Sequence, residues 1–131
     1  MTTPESKVKD RVKRLLHEFG VYWHMPVQNG MGAPTLDFKV TAWGFALVIE
    51  TKAPGEYPTE RQLITMQAES DAGAFVFVVR DDDSLLALRC YLELLSTCLS
   101  QPLPLGLRAV GPLRATSPRR KRSSRSGNTS I

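Results

Sequence analysis

Asp37, Glu50 and Lys52 are the residues of this chain whose types and spacing could do chemistry. Glu50 and Lys52 flank Thr51 directly after the apolar run Phe45-Ala46-Leu47-Val48-Ile49. Five apolar residues closed by polar ones read as a buried strand. Side chains alternate along a strand, so Glu50 and Lys52 share one face and Thr51 points to the other. Asp37 lies in a second short strand pattern, 36–41, and Ala42-Trp43-Gly44 is a tight connection between the two. A two-residue turn at Ala42-Trp43 would pair position 37 with 48 and make Glu50 the diagonal neighbour of Asp37, roughly 7–8 Å away. Two acids that near each other can share one divalent cation, magnesium or manganese, which keeps waters and a phosphate oxygen beside one or two carboxylates. Such an ion polarises a phosphodiester and acidifies a bound water. Lys52 beside it can orient that water or stabilise charge developing on the phosphate. The alternative is a hairpin edge with one Glu–Lys pair, and Glu-x-Lys alone does not separate the two. The preceding Asp, the apolar run and the hairpin spacing favour the metal site.

The elements that must position these residues follow in the order α-β-β-β-α-β-α. Thr2-Thr3-Pro4-Glu5 is a helix start, with a threonine cap, an early proline and an acid in the first turn. Val8, Val12, Leu15, Leu16 and Phe19 then recur as one apolar stripe. Residues 21–27 read as a strand, followed by the hairpin. Thr59 can cap a second helix running to about residue 72, with Leu63 and Met66 inward. The apolar run 74–79 reads as a central strand. Ser84 is expected to cap a third helix, 85–99, with Leu85, Leu88, Leu92, Leu95 and Leu99 on one side and Leu86 and Leu94 elsewhere.

The pattern Asp37-x12-Glu50-x-Lys52 resembles the PD-(D/E)XK nuclease superfamily, and more closely its VRR-NUC branch of virus-type replication and repair nucleases. The resemblance spans roughly residues 5–88. It rests on Glu5 in the first helix, the segments Pro26-Val27-Gln28-Asn29-Gly30 and Gly32-Ala33-Pro34, then Leu36-Asp37-Phe38. It continues with Leu47 to Gly55 (LVIETKAPG), Pro58-Thr59-Glu60-Arg61-Gln62 and the run from Ala72 to Val79. Glu-x-Lys-Ala-Pro-Gly followed by Pro-Thr-x-x-Gln is the most specific part. Many relatives carry proline directly before the metal-binding Asp, whereas here Leu36 takes that place and Pro34 stands three residues before Asp37. A proline there shapes backbone and does not ligate, so the departure reads as variation within the family. The resemblance implies a restriction-endonuclease-like α/β core with a mixed sheet flanked by helices. It implies metal-dependent hydrolysis of DNA, with Asp37, Glu50 and the Thr51 carbonyl as ligands and Lys52 on the attacking water. Glu5 would be a third acid of the site, or else an acid that only complements its helix dipole. Gln62 would assist by contacting substrate or water, or else face solvent. Arg61 could meet a phosphate.

The bulk properties fit one small domain and a tail. At 131 residues the chain supplies a single core. No apolar stretch reaches the roughly 20 residues that span a bilayer, and no secretory signal pattern opens the chain. Residues 1–111 hold 11 Lys+Arg against 13 Asp+Glu, net −2, and residues 112–131 hold six Lys+Arg and no acid, net +6. The division expected is therefore a nuclease-like domain over 1–100 and a disordered Pro/Ser/Arg-rich tail over 101–131. Arg119, Arg120, Lys121 and Arg122 in that tail would bind DNA through its phosphates without sequence preference. The protein is expected in the cytoplasm; the same run resembles a nuclear import signal, which matters only where the organism has a nucleus. Cys90 and Cys98 fall on one helix and cannot bridge each other, which points to reduced core thiols. His17 and His24 have no metal-ligand spacing, and Trp43 packs over the hairpin or stacks on a base. The surplus leucines of residues 85–99 suggest a homodimer. The function these features favour is a metal-dependent endodeoxyribonuclease, acting on junctions or branched DNA in replication, recombination or repair. The alternative is a non-catalytic nucleic-acid-binding module that keeps the fold, and a third reading is an interaction protein working through its leucine-rich helix.

Overall fold

The computed structural model describes residues 2–27 and 32–98; the expectations for Gln28-Asn29-Gly30, Leu99 and the basic tail lie outside them. The seven elements follow in the expected order: α1 (Pro4–Phe19), β1 (Tyr22–His24), β2 (Phe38–Ala42), β3 (Phe45–Thr51), α2 (Glu60–Asp71), β4 (Phe75–Val79) and α3 (Asp82–Cys98). The strands form one mixed sheet in the order β1-β2-β3-β4. The first three run antiparallel, and β4 joins β3 in parallel after the α2 crossover. Among the described residues no helix is long and apolar enough to cross a membrane.

Burial follows from alternation along the strands. Phe38, Val40, Leu47, Ile49 and Val79 face one side of the sheet, where Val12, Leu15 and Leu16 of α1 and Leu88 and Leu92 of α3 close over them. Val48 faces the other side and packs with Leu36 and Met66 of α2, bordered by Val76 and Val78. The result is three layers, with α1 and α3 on one face and α2 on the other. α1 begins as its sequence dictates: the Thr3 hydroxyl accepts the Ser6 N–H at 3.1 Å and proline takes the first turn. Gly20, left-handed at φ 65°, ends it.

Several expectations change. β4 is the edge strand among the described residues, not a central one. Its apolar run reports helices on both faces, since Phe75 and Phe77 border the α1/α3 core and Val76 and Val78 the α2 core. β1 covers three residues rather than seven. On α2 only Met66 is buried, and Leu63 is 53% exposed, because Gln62 rather than Leu63 shares the inward face one turn from Met66. α3 starts at Asp82, and Asp81 is its cap: Asp81 Oδ1 accepts the Ser84 N–H at 2.8 Å while the Ser84 hydroxyl accepts from Asp81 N–H at 3.1 Å. Cys90 and Cys98 are exposed free thiols rather than core ones.

The hairpin turn also moves by one residue. Ala42 pairs with Phe45, so Trp43 and Gly44 are the turn, with φ of 51° and 85°. Both central residues of a type I′ turn need a left-handed backbone, which glycine supplies freely at the second. Trp43 adopts it with its ring edge-on to Phe19 at 6.2 Å. A Cβ at position 44 would meet nothing within 4 Å, so substitution there acts through the backbone alone. Gly44→Ala is expected to cost about 1–2 kcal/mol, read as a fall in Tm of roughly 4–8 °C per kcal/mol. Gly44→Asn should cost less, since asparagine tolerates this conformation; equal melting of all three proteins would remove the left-handed requirement.

Candidate active site

The turn fixes how the two acids meet. In the observed register Phe38 pairs with Ile49, and one step further out Asp37 falls opposite Glu50 rather than diagonal to it. The Asp37 N–H donates to Glu50 Oε2 at 3.2 Å, so the backbone of one acid holds the carboxylate of the other. Asp37 precedes β2 and so escapes strict alternation. Its own carboxylate reaches across, and Oδ2 accepts both the N–H of Thr51 at 2.9 Å and its hydroxyl at 2.7 Å. Thr51, expected to turn away from the acids, is therefore the anchor of Asp37 and is fully buried. The acids sit where β3 and β4 end side by side, the end at which open α/β sheets carry their sites.

Glu50 is only 2% exposed. Its second oxygen, Oε1, accepts from Gln62 Nε2 at 2.7 Å. Gln62 is itself set by the start of α2: its Oε1 accepts the Thr59 N–H at 2.9 Å, while its own N–H donates to the Thr59 hydroxyl at 3.2 Å. This capping box dictates which way the amide points. The Thr-x-x-Gln spacing thus caps a helix and aims a donor at Glu50 in one stroke.

Charge around the pair is uneven. Burial, and then the nearby Asp37 carboxylate, push the Glu50 pKa up from 4.5 to about 7, against the Asp37 N–H and the charges of Lys52 and Lys9. Lys52 thus acts on Glu50 through its charge, with its N–H fixed to the Val79 carbonyl at 3.0 Å. Lys9, which sequence reasoning missed, lies 3.8 Å from Asp37 Oδ1 and 3.8 Å from Glu5 Oε1. Glu5 therefore reaches the acids through Lys9. The missed signal was periodicity: Glu5 and Lys9 are one turn apart on α1, on the flank of its buried stripe. Arg61, next to Gln62 in the first turn of α2, is exposed. His17 and His24 are exposed as well.

No family model and no curated protein matches the sequence. Among solved structures, a chain described as a VRR_NUC domain superposes with a TM-score of 0.58 at 24% identity, over 66% of this chain and 94% of that one. This chain has the VRR-NUC fold. At that identity the likeness establishes architecture, so whether a divalent metal fits must be judged from the residues themselves. Among the described residues no three acid, histidine or cysteine side chains converge as a metal cluster. Two carboxylates do, and magnesium asks for no more than one or two. Among the described residues, each oxygen of Glu50 accepts one hydrogen bond and Asp37 Oδ1 faces the more distant Lys9, which leaves lone pairs on both acids. The donor set, all hard oxygen, fits.

The raised Glu50 pKa has a measurable consequence for the metal-free protein. Its folded value of about 7 exceeds the 4.5 of an unfolded chain, so the folded state holds this proton more tightly. The stability it contributes is complete below the unfolded value and is lost as pH rises to the folded one. Melting in chelator from pH 5 to pH 8 should show Tm falling with pH more steeply for wild type than for Glu50→Gln. Parallel curves would mean that Glu50 does not titrate in this range.

Proposed function

We propose that this protein is a metal-dependent endodeoxyribonuclease that hydrolyses DNA phosphodiester bonds. The observation that carries the reading is the pair itself: a buried Glu50 held against Asp37, its pKa raised first by burial and then by the neighbouring carboxylate. A fold gains nothing in stability from such a pair, and strained ionisation of this kind is characteristic of functional sites. Asp37, Glu50 and the Thr51 carbonyl would hold magnesium or manganese, which when bound supplies Lewis-acid polarisation of the phosphate and an acidified water. Thr51 keeps Asp37 aimed, and Gln62 and the Asp37 N–H keep Glu50 from rotating. Lys9 offsets the negative charge of Asp37, and Glu5 holds Lys9 in place. Lys52 orients the water or stabilises the charge that grows on the phosphate oxygens.

DNA as the substrate, the basic residues Arg119 to Arg122 as an electrostatic clamp, and action on branched or junction structures belong to the same reading. The exposed Leu86, Tyr91 and Leu94 of α3 would offer the face for a second copy, giving two centres for two strands.

Asp37→Asn can keep the acceptor that Thr51 uses while removing charge, whereas Glu50→Gln removes charge and also turns an NH2 toward one of the two donors that Glu50 accepts. Each should lower cleavage of linear, flapped or four-way DNA at least a hundredfold and weaken magnesium or manganese binding by calorimetry. Turnover unchanged in either variant would remove the pair from the chemistry. Lys52→Ala should bind metal almost as wild type does while cleaving about 10²–10³-fold more slowly. Loss of metal and of fold together would make Lys52 structural. A wild-type protein that binds DNA but never cuts it with either metal would instead be the binding module.

A further inference from the structure

The loop between β3 and α2 starts at Lys52 and returns to Glu50 through Gln62, so both of its ends lie in the candidate centre. Inside it Ala53-Pro54-Gly55-Glu56 closes a turn, with the Glu56 N–H on the Ala53 carbonyl at 3.0 Å and Gly55 at φ 83°. Proline and then a left-handed glycine are the sequence of a type II turn. This turn delivers Tyr57 to Arg80, the residue that follows the strand partner of Thr51. The Arg80 guanidinium lies over the Tyr57 ring at 4.5 Å and donates to the Glu56 carbonyl at 3.4 Å. One face of the ring is thus held by a cation, yet Tyr57 as a whole is 72% exposed. The strand that Arg80 leaves is tied to the candidate centre, since the Lys52 N–H donates to the carbonyl of Val79, the residue before Arg80, at 3.0 Å.

A groove of about 420 Å3 runs on from Arg80 and Pro54 to Lys7 and Arg11 of α1. Its charge does not suit tight phosphate binding, because Arg11 pairs with Asp82 at 2.5 Å and Arg80 has Asp81 at 4.0 Å. An aromatic ring backed by a guanidinium asks instead for a flat π-system.

Resting on the nuclease reading above, we propose that Tyr57, backed by Arg80, is a stacking platform for an unpaired nucleobase next to the scissile phosphate. A base inside an intact duplex presents only its edges, and its faces are already stacked. The platform therefore selects DNA with at least one unstacked nucleotide at the cut, such as a flap, a fork or a frayed end. Arg80 is a positioning residue, since it acts by holding the ring.

The test is binding by the full chain in chelator, where no strand is cut, measured by fluorescence anisotropy on three oligonucleotides. These are a flap with unpaired bases, the same flap with abasic sites in place of those bases, and a fully paired duplex. Tyr57→Ala should bind the base-bearing flap about tenfold more weakly. It should bind the abasic flap and the duplex within twofold of wild type and leave the salt slope unchanged, because no phosphate contact is lost. Tyr57→Trp should retain the affinity, and a 2-aminopurine placed in the flap should be quenched by wild type but not by Tyr57→Ala. Equal affinity of wild type and Tyr57→Ala for the base-bearing flap, or an equal loss on the abasic flap, overturns the proposal, as does a wild-type protein that binds no flap. Melting curves separate these results from misfolding, since an exposed side chain should leave Tm in place. If Asp37→Asn cut DNA at the wild-type rate the nuclease reading would fail, whereas an indifferent Tyr57→Ala in an active enzyme sinks only the platform.

Discussion

A carboxylate held inside a protein against another carboxylate is the constraint around which the rest of this structure is arranged. Glu50 is removed from water at the end of the central pair of strands, and Asp37 is tied to it by its own N–H. Each contact nearby limits the cost of that placement. Gln62 donates to the oxygen that Asp37 leaves, Thr51 takes up Asp37 Oδ2 twice, and Lys9 stands off Oδ1. Unpaired charge in a low-dielectric site is expensive, and hydrogen bonds to ionised groups are the strong ones. The arrangement satisfies the acids without fully neutralising them.

Two pieces of local chemistry that look like housekeeping set this geometry. The left-handed Trp43-Gly44 turn decides the register of β2 on β3, and a shift of one residue would send Glu50 to the opposite side of its partner strand's pattern. The Thr59–Gln62 capping box starts α2 and orients the amide that holds Glu50. Stability and function use the same atoms in both places. Substitutions there would therefore be felt in both.

Much of this was legible in the chain. The order of elements, the closeness of Asp37 and Glu50, the threonine caps of α1 and α2 and the buried stripe of α1 follow from spacing, because caps and amphipathic periods are local properties. What was not legible depends on partners distant in sequence or on a single left-handed residue. The turn reads as Ala42-Trp43 when Gly44 is taken for the start of the next strand, whereas Gly44 is the left-handed second residue of the turn itself. The edge position of β4 is invisible in an apolar run that reports only what covers its faces. Lys9 gains its role from a residue on another element. Leu63 read as inward because it is apolar, yet the polar Gln62 took the inward position that Glu50 required.

The hydrogen bonds that define the acid pair all join residues between 37 and 62, with separations of 12 to 14 along the chain. Among the described residues, Lys9 is the ion-pair partner that enters from elsewhere. Closing loops of that length costs little entropy compared with uniting distant segments. The centre is thus one contiguous cassette of hairpin, turn and helix start, and the remaining helices and β4 serve as its housing. Recombination breakpoints or insertions outside that stretch can remodel the housing, and with it the surface offered to a substrate, while passing the acid pair on intact.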